Sequence, residues 1–226
     1  MPKLTFKTII EDAPDVYSFI FEKPNDFNWI AGQFIQITFQ HDNPDDRGIK
    51  RFFSVSSAPF ENKIMITTRI ELTNSSSFKK ALYDIKPGTI IECTPPRGKL
   101  IITQQDKKII LVAGGIGITP LRAIILDLDY NKKLKNIDLM YSNRDEHLPF
   151  KNDFEVIKSR NPKFNILYFV SPDRINEEAI DSINKDLPGC YAFISGPPAM
   201  VKSVEELFIS KGMPEESIRT DYFPGY

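Results

Sequence analysis

Apolar and polar positions alternate with a period of two at 4–9 and 33–39, and 16–21 follows the Ala13-Pro14-Asp15 turn as a further apolar stretch, which predicts three strands. The segments 51–56, 63–70 and 89–94 read as further strands. Residues 78–83 read as a short helix that ends before Lys86-Pro87-Gly88. Six short strands with one helix predict a closed or nearly closed antiparallel β-barrel. The loop 41–48 is polar and acidic, 95–98 is a stiff closing turn, and 103–106 reads as a linker. From Lys107 the pattern changes. A wholly apolar strand ends in Leu111-Val112-Ala113, and strands follow at 137–141, 166–170 and 191–194. Helical patterns lie between and after them, from 120 and near 150–160, 176–185 and 198–210. Strands alternating with helices imply a parallel sheet. The chain therefore reads as two domains: an antiparallel β-barrel over residues 1–103 and an α/β domain with a parallel sheet over residues 104–226.

The stretch Leu111–Leu121, LVAGGIGITPL, organises the second domain. Gly114, Gly115 and Gly117 allow a tight turn and a close approach of backbone to a ligand. Thr119 suits an N-cap and Pro120 the first helical position. A strand, a glycine turn and a helix start together suit a pyrophosphate, because free N–H groups point at the anion. The dinucleotide fingerprint G-x-G-x-x-G would need glycine where Pro120 stands, and a P-loop would need a lysine that the turn lacks. A plain strand-to-helix turn accounts for the same residues.

Other candidates flank this turn. In Arg51-Phe52-Phe53-Ser54, alternation puts Arg51 and Phe53 on one face and Phe52 and Ser54 on the other. Arginine suits a phosphate and an aromatic suits a flat ring, although a surface arginine and a core phenylalanine would give the same spacing. Thr68 and Arg69 end a strand. Ser75, Ser76 and Ser77 open the short helix, as caps or as an anion site. The later strands run into Ser142, Ser171 and Ser195, at the carboxyl ends where such sheets bind ligands. Ser142 with Arg144 leans toward a 2′-phosphate, hence NADPH, while Arg144 could equally pair with Asp145 or Glu146. Ser195-Gly196-Pro197-Pro198-Ala199-Met200 is a second strand–glycine–helix start.

Composition narrows the class. The 226 residues are 41% hydrophobic and 26% charged, with a net charge of -1, as in a globular protein with no strong electrostatic pull toward nucleic acid. No apolar run approaches a membrane span, and the first residues carry no signal-peptide core, so a cytoplasmic protein without membrane insertion is expected. Two distant cysteines, Cys93 and Cys190, argue against a disulfide framework and against a protein-borne iron–sulfur cluster. His41 and His147 are isolated, so no metal site is expected.

Taken in order, these stretches resemble the ferredoxin–NADP reductase superfamily of flavoprotein oxidoreductases over nearly the whole chain. Arg51-Phe52-Phe53-Ser54 is similar to its Arg-x-Tyr-Ser flavin motif, Ser77-Phe78-Lys79 with Leu82 to its flavin-pyrophosphate helix, Gly114–Pro120 to its Gly-Gly-x-Gly-x-Thr-Pro turn, and Ser195–Met200 to its Cys-Gly-Pro-x-x-Met. The closing Phe223-Pro224-Gly225-Tyr226 resembles endings of some bacterial members. The resemblance implies a flavin-binding barrel, with FAD ahead of FMN, and an α/β domain taking NADPH or NADH. It implies that Arg51 holds flavin phosphate, that Phe53 stacks on the isoalloxazine, and that Thr68 and Arg69 act mainly through backbone. It places Thr119 beside the nicotinamide. Ser54, Ser195 and Tyr226 fall nearest the hydride path, Tyr226 covering the ring face. Phe53 departs from the family's tyrosine and Ser195 from its cysteine, Asp221 falls in the region where some members carry a functional carboxylate, and the 226 residues contain no cysteine-rich ferredoxin domain.

The expected function is hydride transfer from NAD(P)H to bound FAD, then electron transfer to a separate ferredoxin-like or oxygenase partner. Reduction of free flavin or another small acceptor is an alternative, as is a non-catalytic redox-sensing or regulatory module on the same fold.

Overall fold

The structure is a computed structural model that describes residues 1–183 and 186–223. The first domain contains β1 (Lys3–Ala13), β2 (Val16–Glu22), β3 (Phe34–Thr38), β4 (Lys50–Ser54), β5 (Lys63–Arg69), the helix α1 (Ser77–Tyr83) and β6 (Ile90–Cys93). The six strands form one antiparallel sheet in the order β4-β3-β6-β1-β2-β5. Alternation sets its curvature: Phe6, Phe19, Phe21, Ile35, Ile37, Ile64 and Ile66 all point inward to one core. The edges meet just beyond β4, at the bridge Val55–Ile66 and where the Ser56 N–H donates to the Met65 carbonyl at 2.8 Å, so the sheet curls into a barrel without a closing ladder. The nearly closed reading thus holds, and the closed one does not.

The second domain contains β7 (Lys108–Gly114), α2 (Ile118–Tyr130), β8 (Ile137–Asn143), α3 (Lys151–Arg160), β9 (Phe164–Val170), α4 (Glu177–Ile183), β10 (Cys190–Gly196), α5 (Pro198–Ser210) and β11 (Ile218–Tyr222). Its parallel sheet has the order β11-β10-β7-β8-β9. β7 is buried on both faces, as its unbroken apolar run requires. One face packs on α2 and α3 through Leu121, Ile125 and Phe154. The other packs on α4 and α5 through Ile180, Val201 and Phe208. The chain moves outward from β7 in one direction through β8 and β9, then returns to the other side with β10. The carboxyl ends of β7 and β10 thus flank the point where strand order reverses, where open α/β sheets bind ligands.

Two local expectations are corrected. Thr119 is not the helix cap: the turn Gly115–Gly117 is 3-10, α2 begins at Ile118, and the Thr119 hydroxyl donates to the Ile116 carbonyl at 3.0 Å. Pro120 therefore stands third in the helix, still within the first turn where no N–H is required. The strand β11 was not expected. It pairs with β10 so that Ser195 lies opposite Asp221 and Gly196 opposite Tyr222.

Candidate functional site

The two domains enclose a cleft of about 1150 Å³. The barrel contributes the ends of β4 and β5 and the approach to α1. The α/β domain contributes the carboxyl ends of β7, β8 and β10.

On the barrel side, Arg51 and Phe53 share the inner face of β4, as alternation requires, and both pack on Phe78. The Arg51 guanidinium carbon lies 5.3 Å from the Phe78 ring centroid, and the Phe53 centroid 6.0 Å from it. Arg51 is 3% exposed, and its Nη1 donates to the carbonyls of Arg47, Gly48 and Lys50 at 2.7–3.0 Å. It is thus fixed in place while still lining the cleft. Phe53 is buried, whereas Phe52 is 54% exposed and sits edge-on to Phe34 at 5.6 Å. Ser54, Thr68 and Arg69 also line the cleft.

The serines that open α1 divide their tasks. Ser76 caps the helix, its hydroxyl accepting from the Lys79 N–H at 3.3 Å. The Ser77 hydroxyl accepts from the Asp45 N–H at 2.8 Å and lies 3.0 Å from His41 Nε2, and its own N–H donates to Asp45 Oδ2 at 3.0 Å. Both hydroxyls are therefore engaged within the fold, and Ser75 is the serine that lines the cleft.

Lys79, one turn further on, was not singled out as a site residue. It lines the cleft with Arg51 and Arg69. Burial, followed by the charges of Arg47 and Arg51, lowers its pKa to about 8. Its amine has no hydrogen-bond or ion-pair partner among the described residues. A desolvated amine held among guanidinium groups is a site prepared for an anion, so these residues fit a flavin phosphate.

On the nucleotide side, Gly115 has φ +52°, in the left-handed region that favours glycine. A Cβ on Gly117 would lie 2.3 Å from the Ser195 carbonyl oxygen, so the turn rests directly on the end of β10. Gly114, Gly115, Ser142, Arg144, Pro197 and Met200 line the cleft, whereas Gly117, Thr119, Pro120 and Gly196 lie behind its wall. Arg144 is engaged by Glu71 at 2.9 Å and Asp145 at 3.3 Å. Ser171, Asp173 and Arg174, beyond β9, line the same side.

The two halves meet at the end of β11. Asp221 lines the cleft with Ser54, and burial raises its carboxyl to about 6, offset in part by the Ser54 hydroxyl. Ser195, its neighbour in register, is fully buried, and its hydroxyl has no hydrogen-bond partner among the described residues. Tyr226, expected to cover the flavin ring, lies outside the described residues. Cys93 and Cys190 are buried and unbridged, and no cluster of metal-binding side chains occurs among the described residues. No helix there is long and apolar enough to cross a membrane.

Comparison with known proteins agrees with this geometry. Residues 111–206 match the family model described as the oxidoreductase NAD-binding domain. A flavohemoprotein of Candida albicans is 31% identical over 193 residues, covering 79% of this chain and 47% of the relative. The ferredoxin reductase component of the 3-ketosteroid-9-alpha-monooxygenase of Rhodococcus rhodochrous is 24% identical, over 97% of this chain and 64% of that protein. The chain spans about half the length of the curated relatives it matches. A ferredoxin NADP+ reductase from Neisseria gonorrhoeae, solved with bound FAD and NADP, shares the fold with a TM-score of 0.82 at 16% identity, covering 98% of each chain. Residues 111–206 thus match an oxidoreductase NAD-binding domain, and the chain shares the two-domain fold of solved ferredoxin NADP+ reductases.

Proposed function

We propose that this chain is an NAD(P)H-dependent flavoprotein reductase. The nucleotide delivers a hydride to a bound flavin, with FAD favoured over FMN, and the electrons pass to a separate acceptor. One observation carries the reading: a single cleft joins a cationic wall on the barrel, Arg51 and Lys79, to the glycine turn and strand ends of a nucleotide-binding sheet.

The flavin, when bound, supplies the hydride-accepting chemistry. Arg51 and Lys79 would hold its phosphate, and Phe53 would offer an apolar ring at the wall. The Gly114–Gly117 turn would let the protein backbone approach the nucleotide pyrophosphate, and Ser142 and Arg144 would hold its adenosine ribose. Ser54 and Asp221 form the polar corner where the domains meet, and with a carboxyl near 6 Asp221 can hold or release a proton there. No general acid–base dyad is needed for a hydride step. The domains' main contribution is orientation and exclusion of water.

The acceptor is an oxygenase component or a ferredoxin-like carrier, a reading supported by the likeness to the Rhodococcus reductase component. The test is reconstitution with FAD or FMN, gel filtration, and turnover of NAD(P)H with a dye acceptor. Flavin retained through the column, with turnover at ordinary enzyme rates, is expected. Flavin lost on the column would favour reduction of free flavin, and retained flavin without turnover would favour a regulatory module.

A further inference from the structure

The two domains meet along an apolar seam. Ile20, Ala31, Met65 and Leu100 of the barrel pack with Leu121 and Ile124 of α2 in one continuous core. Such a seam holds domains together but is non-directional, so it does not by itself fix their angle.

Arg122 supplies direction. It lies on α2, the helix that the glycine turn opens, and is 7% exposed. Its guanidinium is shared between the domains. Toward the barrel, Nη1 donates to the Ser56 carbonyl and to Glu61 Oε2, both at 2.9 Å. On its own side, Nε and Nη2 meet Asp153 Oδ2 at 3.1 and 3.0 Å, and its carbon lies 4.9 Å from the Phe150 ring centroid. Two turns further along the same face of α2, Tyr130 stacks on Phe60 at 4.2 Å with an interplanar angle of 5°. Phe60 and Glu61 belong to one short 3-10 turn, Pro59–Glu61. That turn of the barrel is therefore pinned at two points along the helix.

A buried ion pair adds little net stability, because desolvation offsets its Coulomb gain, and its best-attested use is to fix register. Arg122 is placed for such a role. Ser56 follows Ser54 by two residues, and its hydroxyl lies 2.8 Å from that of Thr67, which lines the cleft. The same guanidinium thus ties the strand end on the flavin side to the helix on the nucleotide side.

We propose that Arg122, through Glu61 and the Ser56 carbonyl, is a positioning residue that sets the angle between the two domains and so the approach of the nicotinamide to the flavin. This rests on the function proposed above. Arg122 does not line the cleft, so its effect is geometric, and a misplacement of about 1 Å costs on the order of 100-fold in rate.

Three variants test it. Glu61→Gln removes the charged partner of Arg122 across the domains, Asp153→Asn removes its charged partner within one domain, and Arg122→Lys keeps the charge but not the planar fork. The chain's one tryptophan, Trp29, donates to the Ser57 carbonyl at 3.0 Å beside Ser56. Its fluorescence therefore reports on the seam with or without flavin. Glu61→Gln and Arg122→Lys are expected to lower kcat for nucleotide-dependent flavin reduction by roughly 10- to 100-fold and to shift Trp29 emission, while Asp153→Asn leaves both as in the wild type. The proposal is overturned if Glu61→Gln reduces flavin at the wild-type rate with unmoved emission, or if Asp153→Asn loses as much. If neither nucleotide reduces wild-type flavin, the functional reading falls, and the emission comparison still decides whether Glu61 and Arg122 set the seam.

Discussion

Arg144 Nη1 donates to Glu71 Oε1 at 2.9 Å across the mouth of the cleft, one residue from each domain. Their side chains are 56% and 37% exposed, so the pair is screened and contributes little to stability. Its consequence is competition. A 2′-phosphate reaching Arg144 would compete with the Glu71 carboxylate for the guanidinium. Glu71→Gln is expected to raise the NADPH-to-NADH ratio of kcat/KM several-fold at low ionic strength and less at high salt. Arg144→Ala is expected to lower it. An unchanged ratio in both would place the 2′-phosphate elsewhere.

Asp221 predicts a pH dependence of known sign. Burial raises its pKa from 3.8 to about 6, so the folded protein binds this proton more tightly than the unfolded chain does. The associated stability is complete below about pH 4 and is lost as pH rises through about 6. In flavin-free protein, Asp221→Asn should therefore melt above the wild type at pH 8, by ~5 °C, with no such gain at pH 4. In the reconstituted enzyme, an inflection near pH 6 in the rate profile should disappear in the variant. Parallel melting curves across this range would refute the assignment.

Lys79 predicts a second, opposite dependence, read in binding. With its amine lowered to about 8, it is charged below that pH and neutral above it. Flavin affinity should fall as pH rises through 8, because an anion loses its cation. Lys79→Gln should bind about tenfold more weakly at pH 7 and lose that pH dependence. Fluorescence titration of FAD across pH 6–10 reads both. Equal affinity in the variant would leave Arg51 and Arg69 as the phosphate's sufficient partners.

Gly117 and Gly114 should respond differently to alanine. The Cβ at Gly117 would meet the Ser195 backbone carbonyl at 2.3 Å, while that at Gly114 would meet Met200 Sδ at 2.4 Å and Pro197 Cδ at 2.9 Å. Methionine can move and a strand carbonyl cannot. Gly117→Ala is expected to cost about 1–3 kcal/mol and to abolish reduction by NAD(P)H while flavin is still bound. Gly114→Ala should cost less. Thermal melts of the two variants, with flavin retention, check the order.

The glycine turn was legible because Gly115 needs a positive φ and Gly117 needs the absence of a side chain, demands that residue type reports directly. The β3 alternation and the inner-face pairing of Arg51 with Phe53 were legible for the same local reason. Thr119 misled because its type suits a cap, whereas the 3-10 turn before it had already started the helix. β11 was hidden because Ile218-Arg219-Thr220-Asp221-Tyr222 is an edge strand whose middle is polar. The resemblance pointed to Asp221, but its register with Ser195 and its place beside Ser54 are not visible in the chain. Lys79 looked like one helical lysine among several until the fold surrounded it with arginines. Arg122 finds Glu61 and Ser56 at sequence separations no local pattern encodes.

The most direct test of a flavin-dependent hydride acceptor is an anaerobic visible spectrum of the reconstituted protein, taken before and after addition of NADPH and then NADH. A bound flavin band at ~450 nm that bleaches with one of the two nucleotides is expected, which also identifies the preferred donor. A bound flavin that neither nucleotide bleaches would contradict it.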